Sequence, residues 1–295
     1  MNTVSETPAG GALDELVGLL DLEPIDRDLF RGVPAPNTRA RAFGGLVAAQ
    51  ALMAAIASAD EGFDVHSMHA YFLLPGDPGA PIVYDSQRIR DGRSFQTRRV
   101  EARQFGRAIF YMTANFQRHE EGFDHQDRMP DVPPPDQGLD MKAAMMDLGG
   151  PDSASLAREW AAIEMSWLGN SSLGGLEPDE MRPSRNRLWV RINDTLPDDP
   201  RIHLGAFTYA SDISLLGASL GAHGVLPDKV QMASLDHTIW FHRPFRADEW
   251  WLYDQESPSA SGGRGLSLGR VFTRDGVLAA TVAQEGIIRP LRPRS

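Results

Sequence analysis

Ser219 sits between two glycines, in Gly217-Ala218-Ser219-Leu220-Gly221. That spacing fits the nucleophile elbow of serine hydrolases, whose chemistry is attack by the hydroxyl and a covalent acyl-enzyme. An elbow needs a buried strand before the serine and a helix after it. Here a helical stretch comes before and the turn-like Gly221-Ala222-His223-Gly224 comes after, so a helix C-terminus closing on glycine is the better reading. Three other polar residues stand in apolar surroundings. Asp212 lies in Tyr209-Ala210-Ser211-Asp212-Ile213-Ser214-Leu215-Leu216, Ser234 opens Ser234-Leu235-Asp236-His237-Thr238-Ile239-Trp240, and Gln284 lies in Ala280-Thr281-Val282-Ala283-Gln284-Glu285-Gly286. A buried carboxylate is costly unless it has a partner or a task. The competing reading makes Asp212 a helix-surface acid and Gln284 an exposed strand residue. His237 and His242 are five apart on a strand and point to opposite faces, which argues against a shared metal and for a structural or rim role. His66 and His69 are likewise an odd number apart.

The chain repeats itself, and the repeat sorts these candidates. Tyr71-Phe72-Leu73-Leu74-Pro75 returns as Trp240-Phe241-His242-Arg243-Pro244, an offset of 169 residues, and Ile82-Val83-Tyr84-Asp85 returns as Trp251-Leu252-Tyr253-Asp254 at the same offset. A period below about 50 residues would suggest a solenoid or propeller; this one implies two fused copies of a whole domain. Ser234 falls on Val65, Gln284 on Ala114, and Asp212 near Phe43 or Gly44. The first copy is therefore apolar or small where the second carries all three polar groups.

The elements that must position them are legible from periodicity. Leu13 to Leu22 has helical spacing, and Phe43 to Ser58 is apolar nearly all round, as a buried helix would be. Residues 65–74, 81–90, 94–103 and 107–117 read as strands, with a hairpin signal at Asp91-Gly92. The second copy repeats this order: a lead strand at Leu188 to Asn193, a helix within Asp199 to Leu220, then strands near 234–243, 250–257, 264–274 and 277–287. The expectation is an α+β chain: an N-terminal domain at 13–117, a linker at 118–185 running over the surface, and a C-terminal domain at 186–290. Each domain is a helix covered by an antiparallel sheet.

Bulk composition narrows the function classes. With 295 residues and a hydrophobic fraction of 42% the chain can fill two cores, and its net charge of −11 provides no general attraction to nucleic acid or anionic membranes. The absence of cysteine excludes disulfides, thiolate metal sites and a cysteine nucleophile. The longest apolar run, Leu46 to Ala57, is broken by Gln50 and is too short to span a bilayer. No secretory leader is evident and the last residues are a poor peroxisomal address, so a cytoplasmic location is the default expectation. Residues 1–12 are expected to be disordered.

Several long motifs in order carry a resemblance across most of the chain, from about Leu13 to Arg289. They are Phe43-Gly44-Gly45-Leu46-Val47, His66-Ser67-Met68-His69-Ala70-Tyr71-Phe72-Leu73-Leu74-Pro75-Gly76, Gly122-Phe123-Asp124-His125-Gln126, Tyr209-Ala210-Ser211-Asp212, Leu235-Asp236-His237-Thr238-Ile239-Trp240-Phe241-His242-Arg243-Pro244-Phe245 and Gln284-Glu285-Gly286. Together they closely resemble the acyl-CoA thioesterase II family of TesB type. The resemblance implies two fused hotdog domains and hydrolysis of acyl-CoA to free acid and CoA. It maps the family's catalytic groups onto Asp212, Ser234 and Gln284. In that role Asp212 would act as general base, worth about 10²–10⁴-fold, while Ser234 and Gln284 would hold the attacking water. No cofactor or metal is called for. Arg93, Arg243 and Arg264 could meet the CoA phosphates, although arginine at a sheet edge is more often simply solvated. Two rivals differ in kind. A hotdog enoyl-CoA hydratase would need Asn and His where Ser214 and Gly217 stand; a non-catalytic acyl-CoA-binding module would not need the three polar groups. A symmetric homo-oligomer is expected on general grounds.

Overall fold

A computed structural model describes residues 11–35, 41–147, 153–177 and 179–291. The expected disorder falls on residues outside these, except that Gly11 is described and Ala12 already begins a helix. That helix, α1 (Ala12–Leu20), buries Leu16, Leu19 and Leu20. A hairpin that periodicity does not reveal follows, β1 (Glu23–Asp26) and β2 (Leu29–Gly32), turning through Asp28 at φ 58°. Its first strand is exposed throughout, so it carries no alternation to read. Then comes α2 (Gly44–Ser58), whose Ala48, Ala49, Ala51, Leu52, Ala54 and Ala55 are wholly buried. The strands β3 (Asp64–Phe72), β4 (Ile82–Asp91), β5 (Phe95–Gln104) and β6 (Arg107–Gln117) wrap it, close to the spans their alternation indicates.

The stretch expected as a linker holds regular structure: β7 (Leu139–Asp140), α3 (Met141–Asp147), α4 (Ser153–Glu159) and β8 (Ile163–Asn170). β8 pairs with β9 (Arg185–Ile192), so the second sheet starts inside 118–185. Before it, the chain runs over that sheet's outer face. Met129 and Val132 pack on Trp189, Leu252 and Phe272, and Trp189 Nε1 donates to Pro133 O at 2.8 Å.

In the second copy, α5 (Pro200–Ser211) starts with Asp199 accepting from the Arg201 N–H and Pro200 in the first turn. A helix reaching Leu220 is not what forms. The α-helix stops at Ser211, and a 3-10 segment, Leu216–His223, closes on left-handed Gly224. Gly217 and Gly221 weaken a continued helix, and the Ser211 hydroxyl bonds back to Thr208 O at 2.9 Å. The remaining strands are β10 (Val230–Ser234), β11 (Asp236–Phe241), β12 (Trp251–Ser261), β13 (Arg264–Thr273) and β14 (Leu278–Pro290).

All strands join one antiparallel sheet in the order β1-β2-β4-β5-β6-β3-β11-β14-β13-β12-β9-β8-β7, with β10 also on β14. The two copies meet where β3 pairs with β11, Ala70 opposite His237 and Met68 opposite Ile239. This pairing satisfies two strand edges that would otherwise be open. Beneath it α2 packs on α5, and one apolar core runs through both copies.

Candidate active site

Asp212 is the residue on which α5 ends, at φ −84° and ψ −9°. Its side chain is almost wholly buried. A helix C-terminus is the unfavourable end for a carboxylate. The N-terminus of α2 lies alongside: a Cβ added to Gly44 would stand 2.7 Å from Asp212 Oδ2. Glycine at this point therefore lets the carboxylate reach the positive end of α2, a helix with no acid in its own first turn.

The structure brings the three candidates together. Gln284, on β14 and wholly buried, donates through Nε2 to Asp212 Oδ1 at 2.5 Å and to Ser234 Oγ at 3.0 Å. The Ser234 hydroxyl lies 3.4 Å from Asp212 Oδ1. Ser234 ends β10 rather than opening β11, because Leu235 interrupts the run: its N–H bonds Glu285 O at 2.9 Å and its carbonyl accepts from Phe72 N at 2.9 Å. Next to Gln284, the Glu285 N–H donates to Asp236 Oδ1 at 2.6 Å, and burial raises the Asp236 carboxyl above its ordinary pKa.

Two further side chains reach this cluster. His237, on β11, is fully buried; its Nε2 is 2.9 Å from Ser211 Oγ and its Nδ1 is 3.9 Å from Asp212 Oδ1. Burial holds the imidazole at a pKa of about 4, so it is neutral at physiological pH. The Tyr253 hydroxyl donates to Ser211 O at 3.0 Å, and burial, then the Asp212 charge, keep that phenol protonated. Reading histidines by their spacing misses the first contact. The repeat contained a signal for it: at the offset of 169, His237 falls on Met68, one more apolar residue against a polar one.

The other residues singled out lie elsewhere in the fold. Ser219 is buried, and its hydroxyl donates to Leu216 O at 2.6 Å. His242 faces away from His237 and bonds Thr281 Oγ1 at 2.8 Å. Arg243 is tied to Asp124 and to Leu278 O, Arg264 pairs with Glu285 at 3.0 Å, and Arg93 is exposed. Among the described residues no cluster of His and acids could hold a metal, and no helix is long and apolar enough to cross a membrane.

Residues 33–117 match a family described as the acyl-CoA thioesterase N-terminal domain, and residues 169–287 match one described as acyl-CoA thioesterase. The chain is 42% identical to mouse acyl-coenzyme A thioesterase 8 over 95% of its own length and 90% of that relative. It is 39% identical to acyl-CoA thioesterase 2 of Haemophilus influenzae, over 94% and 98% of the two chains. The solved structure of acyl-CoA thioesterase II TesB2 from Mycobacterium marinum superposes with a TM-score of 0.80 at 41% identity, covering 94% of this chain and 98% of that one. The helix-and-sheet units are hotdog folds.

Proposed function

Because the chain belongs to the acyl-CoA thioesterase family, we propose that Asp212, Ser234 and Gln284 carry its hydrolysis of acyl-CoA to free acid and CoA. The observation behind this assignment is the paired donation of one buried amide to the carboxylate and to the hydroxyl, at 2.5 and 3.0 Å. Asp212 removes a proton as water attacks the thioester carbon. Gln284 fixes the carboxylate, and with Ser234 it holds the water in line, a gain that comes from orientation. The positive end of α2 beside Asp212 favours the charge that develops on the thioester oxygen. When the carbon–sulfur bond breaks, the proton passes to the CoA sulfur and Asp212 returns to its carboxylate form. The domain at 186–290 is thus catalytic, while 13–117 supplies scaffold and the end of α2.

The test is a thiol-release assay on folded variants. Asp212→Asn should lower kcat by about 100-fold or more, since an amide is no base. Gln284→Ala should cost less, and Ser234→Ala less again. Near-normal turnover by a folded Asp212→Asn protein would overturn the assignment. Self-association belongs to the same proposal: Tyr71 and Trp240, half or more than a third exposed, form an aromatic face on the outer side of the joint between the copies that a second chain can cover.

A further inference from the structure

His237 is not required by the fold. Its repeat counterpart, Met68, is just as buried, so an apolar side chain of similar size fills this place in the first copy. A polar ring inside an apolar core carries a cost that must be offset by some contact, and the contacts here fix where its proton sits. The Ser211 hydroxyl spends its one hydrogen on Thr208 O at 2.9 Å. With that hydrogen on Thr208 O, the 2.9 Å contact with His237 Nε2 is made by an N–H on that nitrogen. In a neutral ring Nδ1 is then a bare acceptor. It has no hydrogen-bond partner among the described residues, and it stands 3.9 Å from Asp212 Oδ1.

The groups on the other sides of that oxygen are donors. Gln284 Nε2 and the Ser234 hydroxyl both point hydrogens at it. They suit a carboxylate, or the carbonyl oxygen of the acid, but as they donate, neither can receive the hydrogen that Asp212 carries once it has taken a proton from water. The acid must donate, and His237 Nδ1 is a buried acceptor 3.9 Å from Oδ1. Resting on the assignment of Asp212 as base, we infer that His237 is a positioning residue: its unprotonated Nδ1 receives the O–H of protonated Asp212 and holds it until the proton leaves with the CoA sulfur. The ring stays neutral throughout. Water's proton goes to Asp212 and then to sulfur, the water oxygen bonds to the acyl carbon, and the carbon–sulfur bond breaks.

Three variants test this, each measured for steady-state kinetics and thermal melting. His237→Met installs the first copy's residue; its Tm should hold or rise, while kcat falls about tenfold or more and KM stays put, because the ring lies behind Asp212. His237→Asn keeps an acceptor at the Nδ1 position and should retain more kcat than His237→Gln, which keeps only a donor towards Ser211. A purely structural histidine would give the opposite pattern: Tm lost in the Met variant, kcat per folded molecule unchanged, and Gln the better replacement. Full kcat in both the Met and Gln variants would overturn the inference and leave Gln284 Oε1 as the acceptor. If the Met variant does not fold, the order of Asn and Gln decides. Asp212→Asn run alongside separates the two levels: activity there overturns the base assignment itself, whereas its loss together with active His237 variants overturns only the role of His237.

Discussion

Ser219 and Ser234 share a side chain and differ in what surrounds it. The Ser219 hydroxyl is locked on Leu216 O, and a Cβ on Gly265 would lie 2.6 Å from its own Cβ, so neither substrate nor a base can reach it. Ser219→Ala should keep most of the activity and lose about 1 kcal/mol of stability with its hydrogen bond. CoA release should show no burst, and an acyl adduct on Ser219 by mass spectrometry would contradict that. His237 gives a separate prediction on stability. Its pKa is about 4 when folded against an ordinary 6.5, so the unfolded chain takes up the proton first. Its contribution is complete above pH 6.5 and is lost as pH falls from 6.5 towards 4, by roughly 3 kcal/mol in all. Burial lowers the pKa of His66, His203 and His242 in the same direction, so the wild-type decline alone proves little. The difference in Tm between wild type and His237→Met, followed from pH 7 to 4, isolates this residue. That difference should shift in favour of the Met variant as the medium becomes acidic; a constant difference would show that the ring is not held neutral.

Where two elements meet, the two glycines that open α2 have different neighbours. A Cβ on Gly45 would come 2.4 Å from Tyr209 O, a backbone atom of α5 that cannot step aside. A Cβ on Gly44 would meet the Asp212 carboxylate at 2.7 Å and the Phe72 ring at 3.0 Å, both side chains. Alanine gains up to about 1 kcal/mol of helix propensity over glycine. Gly45→Ala should nonetheless lower Tm, because it forces α2 from α5. Gly44→Ala should lower kcat more than Tm, because it moves the carboxylate. Melts and kinetics on the pair check this, and equal effects on both readouts would remove the distinction. The same elements show what periodicity can and cannot convey. The eight wrapping strands of β3 to β6 and β11 to β14 were legible because one face of each is apolar. The end of α5 at Ser211 was not, since Ser211 and the later glycines act through local hydrogen bonds and lost propensity that a run of apolar residues conceals. β8 was hidden for a different reason: it lies within 118–185, expected as a linker, and Ile163 and Met165 come only a few residues after α4. Ser234, Gln284 and Asp212 stood out as polar residues in apolar surroundings and were set apart by comparison of the copies, and His237 is set apart by the same comparison with Met68.

The whole chain is asymmetric in what its outer sheet surface shows. Over the second copy, the segment carrying Met129 and Val132 covers Trp189, Leu252 and Phe272. At the joint nothing comparable is seen among the described residues. There Trp240 meets His69 edge-on at 5.3 Å, Tyr71 stacks on Tyr111 at 5.5 Å, and Arg99 lies over the Tyr111 ring. A contiguous aromatic patch on a water-facing sheet favours association, and a patch lying beside the intramolecular joint suits a two-fold contact in which each copy offers the same surface. Chains bearing −11 each repel one another. Apolar contact must overcome that repulsion, and salt must help by screening it over about 10 Å at 0.1 M. Light scattering at micromolar concentration should therefore give a mass of at least two chains, with dissociation constants that tighten as salt is raised. Trp240→Glu and Tyr71→Glu, both at exposed positions, should shift the population towards single chains while leaving the folded structure intact. A strict monomer across that salt range, or an oligomer indifferent to both substitutions, would place the contact elsewhere or remove it.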